Sequence, residues 1–118
     1  MELVPWTVVF LRRIDPPPAL DQATGSKVQD AHLAFLAAQH DAGRLVAAGP
    51  VRSAEGGDLA GICLYHVDRD EAKALAEQDP AVQRGVFRVE TLSWLVPRGA
   101  LEAGRGAFPR SMKDVGAP

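Results

Sequence analysis

Four runs of β-branched, aromatic and aliphatic residues alternate with two helical stretches, in the order strand, helix, strand, strand, helix, strand. That order restricts the fold more than any other feature of the chain. From Val4 to Arg13, the residues Trp6, Thr7, Val8, Val9, Phe10 and Leu11 favour a strand. Asp15 and then Pro16, Pro17 and Pro18 stop it, because proline donates no ladder hydrogen bond. After a loop around Gly25 and Ser26, a helix is predicted to end near Gly43, which suits the left-handed position after a helix. Leu45 to Val51 reads as a second strand interrupted by Gly49-Pro50, and a turn at Gly56-Gly57 leads into a third, Ala60 to Val67, as a hairpin. Asp68, with Glu71 three residues on, resembles a capping box opening a second helix over Arg69 to Gln78. Asp79 must be extended, since Pro80 follows it. After a turn through Gly85, Val86 to Val96 supplies the fourth strand. The expected fold is α+β and ferredoxin-like, βαββαβ, with a four-stranded antiparallel sheet carrying both helices on one face.

Such a sheet leaves its other face bare, and an open face should be polar. The third strand offers Ala60, Ile62, Leu64 and His66 on one side and Gly61, Cys63, Tyr65 and Val67 on the other. Neither set is polar. A second copy of the chain is therefore the expected cover, making a homodimer.

A length of 118 residues fits one domain. We divide it into a folded part, residues 1–98, and a tail, residues 99–118, broken by Gly99, Gly104, Gly106, Pro109, Gly116 and Pro118. Only Leu101, Phe108, Met112 and Val115 could anchor this tail, which is expected either to be disordered or to lie on the partner subunit. A net charge of −2 without a basic cluster argues against nucleic-acid binding. No run approaches a membrane span, the N-terminus lacks a secretory pattern, and a single cysteine fits a reducing cytoplasm. Cys63, between Ile62 and Leu64, reads as a buried structural thiol.

Two polar residues fall where apolar ones belong. His32 shares a helix stripe with Val28, Phe35 and Leu36, and Asp79 extends the stripe Ala72, Leu75 and Ala76 of the second helix. Burying either alone is costly. Taken singly, His32 is a packing histidine and Asp79 a helix-stop residue bonding the amides near Ala81 and Val82. In a βαββαβ fold, however, the helices lie side by side, so the two can meet. A carboxylate accepting the Nδ1 proton fixes the imidazole tautomer and leaves Nε2 free to move a substrate proton, which suits general acid–base chemistry near neutral pH.

The remaining candidates are weaker. His40, near the helix C-terminus where the dipole favours a cation, reads as a capping or surface residue, and His66 as a half-exposed strand residue. The three histidines lack metal-ligand spacing, so no metal or cofactor is expected. Ser53 and Ser93 lack a nucleophile elbow. Gly49-Pro50 reads as a bulge or a plain kink. Arg12 and Arg13 are either contacts for an anionic ligand or solvated.

The run His32-Leu33-Ala34-Phe35-Leu36, then Gly43-Arg44-Leu45 and Ala48-Gly49-Pro50, resembles the first half of the YCII-related domain. Gly61, Glu71-Ala72, Asp79-Pro80, Gly85-Val86-Phe87 and Trp94 resemble its second half. The resemblance spans Val4 to Val96. It implies a dimeric α/β-barrel fold, a pocket between sheet and helices, and a histidine and aspartate of the active site mapping to His32 and Asp79. It further implies lyase or isomerase chemistry on a small molecule. The triple proline and the Gly-containing tail depart from the family pattern and bear on the pocket mouth. Two functions follow: an enzyme using His32 and Asp79 without a cofactor, or a non-catalytic binding or assembly module in which the pair ties two helices together. An oxygenase of the wider superfamily is disfavoured by the lack of any haem or flavin signature.

Overall fold

The computed structural model describes residues 1–52, 55–102 and 106–116. The first strand, β1 (Leu3–Arg13), leads to α1 (Gln22–Asp41), and β2 (Leu45–Pro50) and β3 (Leu59–Tyr65) form the hairpin. A helix α2 (Arg69–Ala76), a short α3 (Pro80–Gln83) and β4 (Phe87–Pro97) follow, and a single 3₁₀ turn covers Met112–Asp114. The strands form one sheet in the order β2-β3-β1-β4, with every adjacent pair antiparallel. This is the ferredoxin-like arrangement expected from the pattern of runs.

Local signals account for most element ends. The Asp21 side chain accepts from Thr24 N at 2.7 Å and caps α1, so the helix begins before Gly25 and Ser26, which lie inside it rather than in a loop. An N-cap carboxylate together with the alanines of the following turns outweighs the cost of one helical glycine, roughly 1 kcal/mol. Gly43 takes φ +79° just past the helix, the left-handed conformation that glycine suits. The Asp68 side chain accepts from Glu71 N at 2.8 Å at the start of α2. This helix is short. It stops at Ala76, and Asp79-Pro80 opens a new helix, α3, where the sequence suggested a turn.

One face of the sheet carries the core. Val9 and Leu11 of β1, Leu45 of β2, and Cys63 and Tyr65 of β3 pack against Leu36 of α1 and Ala72 and Ala76 of α2. The small residues Ala72 and Ala76, four apart, let α2 sit close to the strands. Thr7 Oγ1 donates to Val67 O at 2.8 Å, which satisfies a buried hydroxyl on the same face. On the opposite face, cross-strand pairing sets Trp6 beside Trp94, Val8 beside Leu64 and Leu92, and Phe10 beside Ile62. Ile62, Leu92 and Trp94 are exposed there. The irregularity of β2 lies between Leu45 and Ala47, not at Gly49-Pro50, which pairs regularly with Ile62 and Gly61. A Cβ on Gly61 would come within 3.2 Å of Gly49 O, so glycine lets β2 and β3 approach at this point.

Candidate active site

His32 and Asp79 touch. The imidazole Nδ1 lies 2.6 Å from Asp79 Oδ2, and both residues are buried. An ionised carboxylate only accepts hydrogen bonds, so the ring proton is on Nδ1 and a neutral His32 carries its lone pair on Nε2. The edge of the Phe87 ring, 5.7 Å away centre to centre and inclined by 65°, steadies the imidazole from β4. Asp79 is held equally firmly. Its Oδ1 accepts from Ala81 N at 2.9 Å, which makes it the N-cap of α3. The sequence placed this carboxylate at a helix C-terminus, where the dipole opposes it. The break before Pro80 instead sets it at the start of α3, where it satisfies a free backbone donor. The helix-stop role and the histidine contact therefore coexist, one on each oxygen.

Among the described residues, no buried side-chain polar atom lacks a hydrogen-bond partner, and Nε2 has no protein partner. It follows that Nε2 is open to the cavity that His32 lines. That cavity measures about 390 Å³. Among the described residues, Gln29 and His32 are the polar side chains in its wall, Leu33, Leu36, Ala48 and Phe87 are among the apolar ones, and no charged side chain contributes. A wider cavity of about 690 Å³ adjoins it across Gln29 and Phe87, lined by the proline segment and by Arg13, Asp15 and Asp58. The larger space is not lined by His32; the smaller one is.

Cys63 also lines the smaller cavity, but its thiol is not a nucleophile. Burial, helped by the negative charge of Asp79, pushes its pKa up to about 12. Burial also raises that of the Tyr65 hydroxyl, with Cys63 and Asp79 adding to the effect. Both groups ionise more easily when unfolded, so stability is full below the unfolded thiol value of about 9 and falls as pH rises towards 12. Iodoacetamide at about pH 8.5 should therefore leave Cys63 unmodified in the native protein and label it in urea. Rapid native labelling, read by mass spectrometry, would refute this assignment.

The other sequence candidates are placed elsewhere. His66 stacks on Trp6 at 4.5 Å and is exposed. Arg12 is engaged by Asp58 at 2.8 Å and Glu90 at 3.3 Å, and Arg13 by the carbonyls of Gly57 and Leu59. Neither guanidinium reaches the His32 cavity. Ser93 lies exposed on β4, and Ser53 lies outside the described residues, as do Gly104 and Pro118 of the tail. His40 is neither a simple cap nor a surface residue: it stacks on Phe108 at 4.0 Å. Among the described residues, no group of three His, Cys, Asp or Glu side chains could hold a metal, and no helix is long and apolar enough to cross a membrane. Sequence reasoning missed Gln29 as part of the cavity wall, and it placed the tail at the pocket mouth without saying which residues enter. Phe108, Met112 and Val115, named only as possible anchors, all line the cavity.

The sequence profile of the YCII-related domain matches residues 8–94. The chain belongs to the YCII-related domain family. His32, Asp79 and Phe87 all lie inside the YCII-matched region, and the tail lies beyond it. Among solved structures, the YCII chain is similar to 5-chloro-2-hydroxyhydroquinone dehydrochlorinase from Burkholderia phenoliruptrix AC1100, determined in complex with 2,5-dihydroxybenzoquinone. The two share 19% identity at a TM-score of 0.53, over 75% of this chain and 92% of the other. That likeness establishes a common fold. No curated protein sequence matches the chain.

Proposed function

We propose that this YCII protein is an enzyme of lyase or isomerase type in which His32 moves a proton of a small, uncharged, largely apolar molecule. The contact that carries the reading is the 2.6 Å bond from His32 Nδ1 to Asp79, with Nε2 turned to an apolar cavity. Asp79 acts as a positioning residue. It holds the tautomer that makes Nε2 the base, and it offsets the positive charge that the ring gains on taking a proton. Among the described residues Gln29 is the one other polar side chain of the wall, and it supplies a hydrogen bond to orient the ligand. A wall to which no charged side chain contributes among the described residues suits a neutral ring better than a phosphate or a carboxylate. A dehydrochlorinase, which removes a proton and a chloride from a ring, is the same class of step on the same fold.

The test is deuterium uptake. With 1,2,4-trihydroxybenzene in D₂O, the wild type should exchange ring C–H protons about 10²–10⁴ times faster than His32→Gln, as measured by proton NMR. Equal rates would favour the binding module, in which the pair merely ties α1 to α3.

We further propose that a second copy of the chain covers the open face of the sheet, where Ile62, Leu92 and Trp94 stand exposed beside Val8 and Phe10. Light scattering should give twice the chain mass at micromolar concentration. Trp94→Glu should halve that mass by placing a charge in an apolar interface. A wild-type monomer would overturn this proposal.

A further inference from the structure

Phe108, Pro109, Met112 and Val115 line the same cavity as His32, although all four lie outside the family-matched region. Their segment, residues 106–116, rests on α1 of its own chain. This third arrangement differs from both expected for the tail, a disordered one and one laid on the partner. Met112 N donates to Asp30 Oδ1 at 2.8 Å, Arg110 pairs with Asp41 at 2.8 Å, Phe108 stacks flat on His40, and His40 also bonds Gly106 O.

His40 is the clasp. Its Nδ1 lies 2.8 Å from Leu45 O and its Nε2 lies 2.9 Å from Gly106 O. Both oxygens are backbone carbonyls, which only accept. A neutral imidazole has one N–H and can donate to one of them; the imidazolium donates to both. The charged groups around the clasp are Asp41 and Arg110, which are paired with each other, and Arg44, which donates to Gln39 Oε1 at 3.3 Å. From β2 only the Leu45 carbonyl reaches the ring, and among the described residues no other hydrogen bond or ion pair does.

We propose that residues 106–116 are a strap that completes the cavity and sets which ligands it admits, with Phe108 as the size-determining side chain and His40 as a proton-dependent fastening. The proposal rests on the reading of the His32 cavity as a ligand site. Phe108 both packs on the core and fills one side of the cavity, so removing its ring opens space for a second fused ring in the ligand. Protonation of His40 completes the second carbonyl bond and tightens the strap; deprotonation gives one bond up. The strap is thus firmer at lower pH.

The test titrates the full-length wild type, Phe108→Ala and His40→Gln with phenol and 2-naphthol as probes. It also follows amide exchange of residues 106–116 at about pH 5.5 and about pH 8, on either side of the ordinary histidine range. Phe108→Ala should shift the affinity ratio towards 2-naphthol by about 10-fold or more, the scale on which an apolar pocket resolves small groups. After correction for intrinsic rates, wild-type exchange should be slower at the lower pH, and His40→Gln should lose that difference. An unchanged affinity ratio in Phe108→Ala overturns the strap as a selector. A wild-type segment that exchanges like a free peptide, or without pH dependence, overturns the clasp. A wild type that binds neither probe while the segment stays protected and pH-dependent refutes the ligand-site reading, and with it the selectivity, while leaving the fastening established.

Discussion

Asp79→Asn is expected to leave a folded protein whose proton transfer by His32 falls by about 10⁴-fold, the scale seen when the aspartate of a serine-protease triad is made neutral. The carboxylate serves two donors at once, Ala81 N through Oδ1 and His32 Nδ1 through Oδ2. A carboxamide has one oxygen. With that oxygen on Ala81 N, which keeps α3 capped, the amide NH₂ faces the imidazole and can only donate. The ring proton is then forced from Nδ1 to Nε2, and the atom that should accept a substrate proton already holds one. Asp79→Ala has a different signature. It strips the cap from α3 and leaves His32 Nδ1 buried without its acceptor, a loss on the order of 1–3 kcal/mol for the orphaned donor and about 1 kcal/mol for the cap. Urea unfolding monitored by Trp fluorescence, together with the deuterium-uptake assay, separates the two variants. If Asp79→Asn kept full exchange activity, the positioning role of Asp79 would be wrong.

The second large effect concerns stability alone. Leu45→Ala should lower the unfolding free energy by about 2–5 kcal/mol, because the side chain is 2% exposed and its loss leaves a void between sheet and helices. Leu45 sits in the core cluster with Val9, Leu36 and Tyr65. It does not line the His32 cavity, and its contact with His40 is through the backbone carbonyl, which the substitution keeps. Exchange activity per folded molecule should therefore be unchanged, and the denaturation midpoint should shift at constant m-value. A loss below about 1 kcal/mol would mean that the core repacks around the gap.

Much of the fold was legible before any coordinates. The periodicity of β1 and β4, the caps Asp68 and Gly43, and the break at Asp79-Pro80 all depend on neighbours within four or five residues, and the structure places elements at each. Misplaced boundaries had local causes of the same kind. Gly25 and Ser26 taken alone favour a loop, and the Asp21 cap on Thr24 N outweighs them. The turn after Pro80 became α3 because an aspartate before a proline is an N-cap as well as a stop.

The site was half legible. His32 and Asp79 stand out because titratable groups on apolar stripes need partners, and they are each other's partner across 47 positions of the chain. Their contact also needs α3, whose short helix sets the angle of the carboxylate. The strap left no such trace. Phe108, Met112 and Val115 follow no period, and His40 looked like an ordinary last-turn cation until Gly106, 66 positions further along, met its second nitrogen. What the sequence by itself determined is therefore whatever short-range sterics and capping dictate: the order of strands and helices, and which polar residues sit on buried faces. The tertiary structure alone decided which distant groups share one cavity. That choice depends on how the sheet and α1 pack, a property of the whole core rather than of any window of sequence.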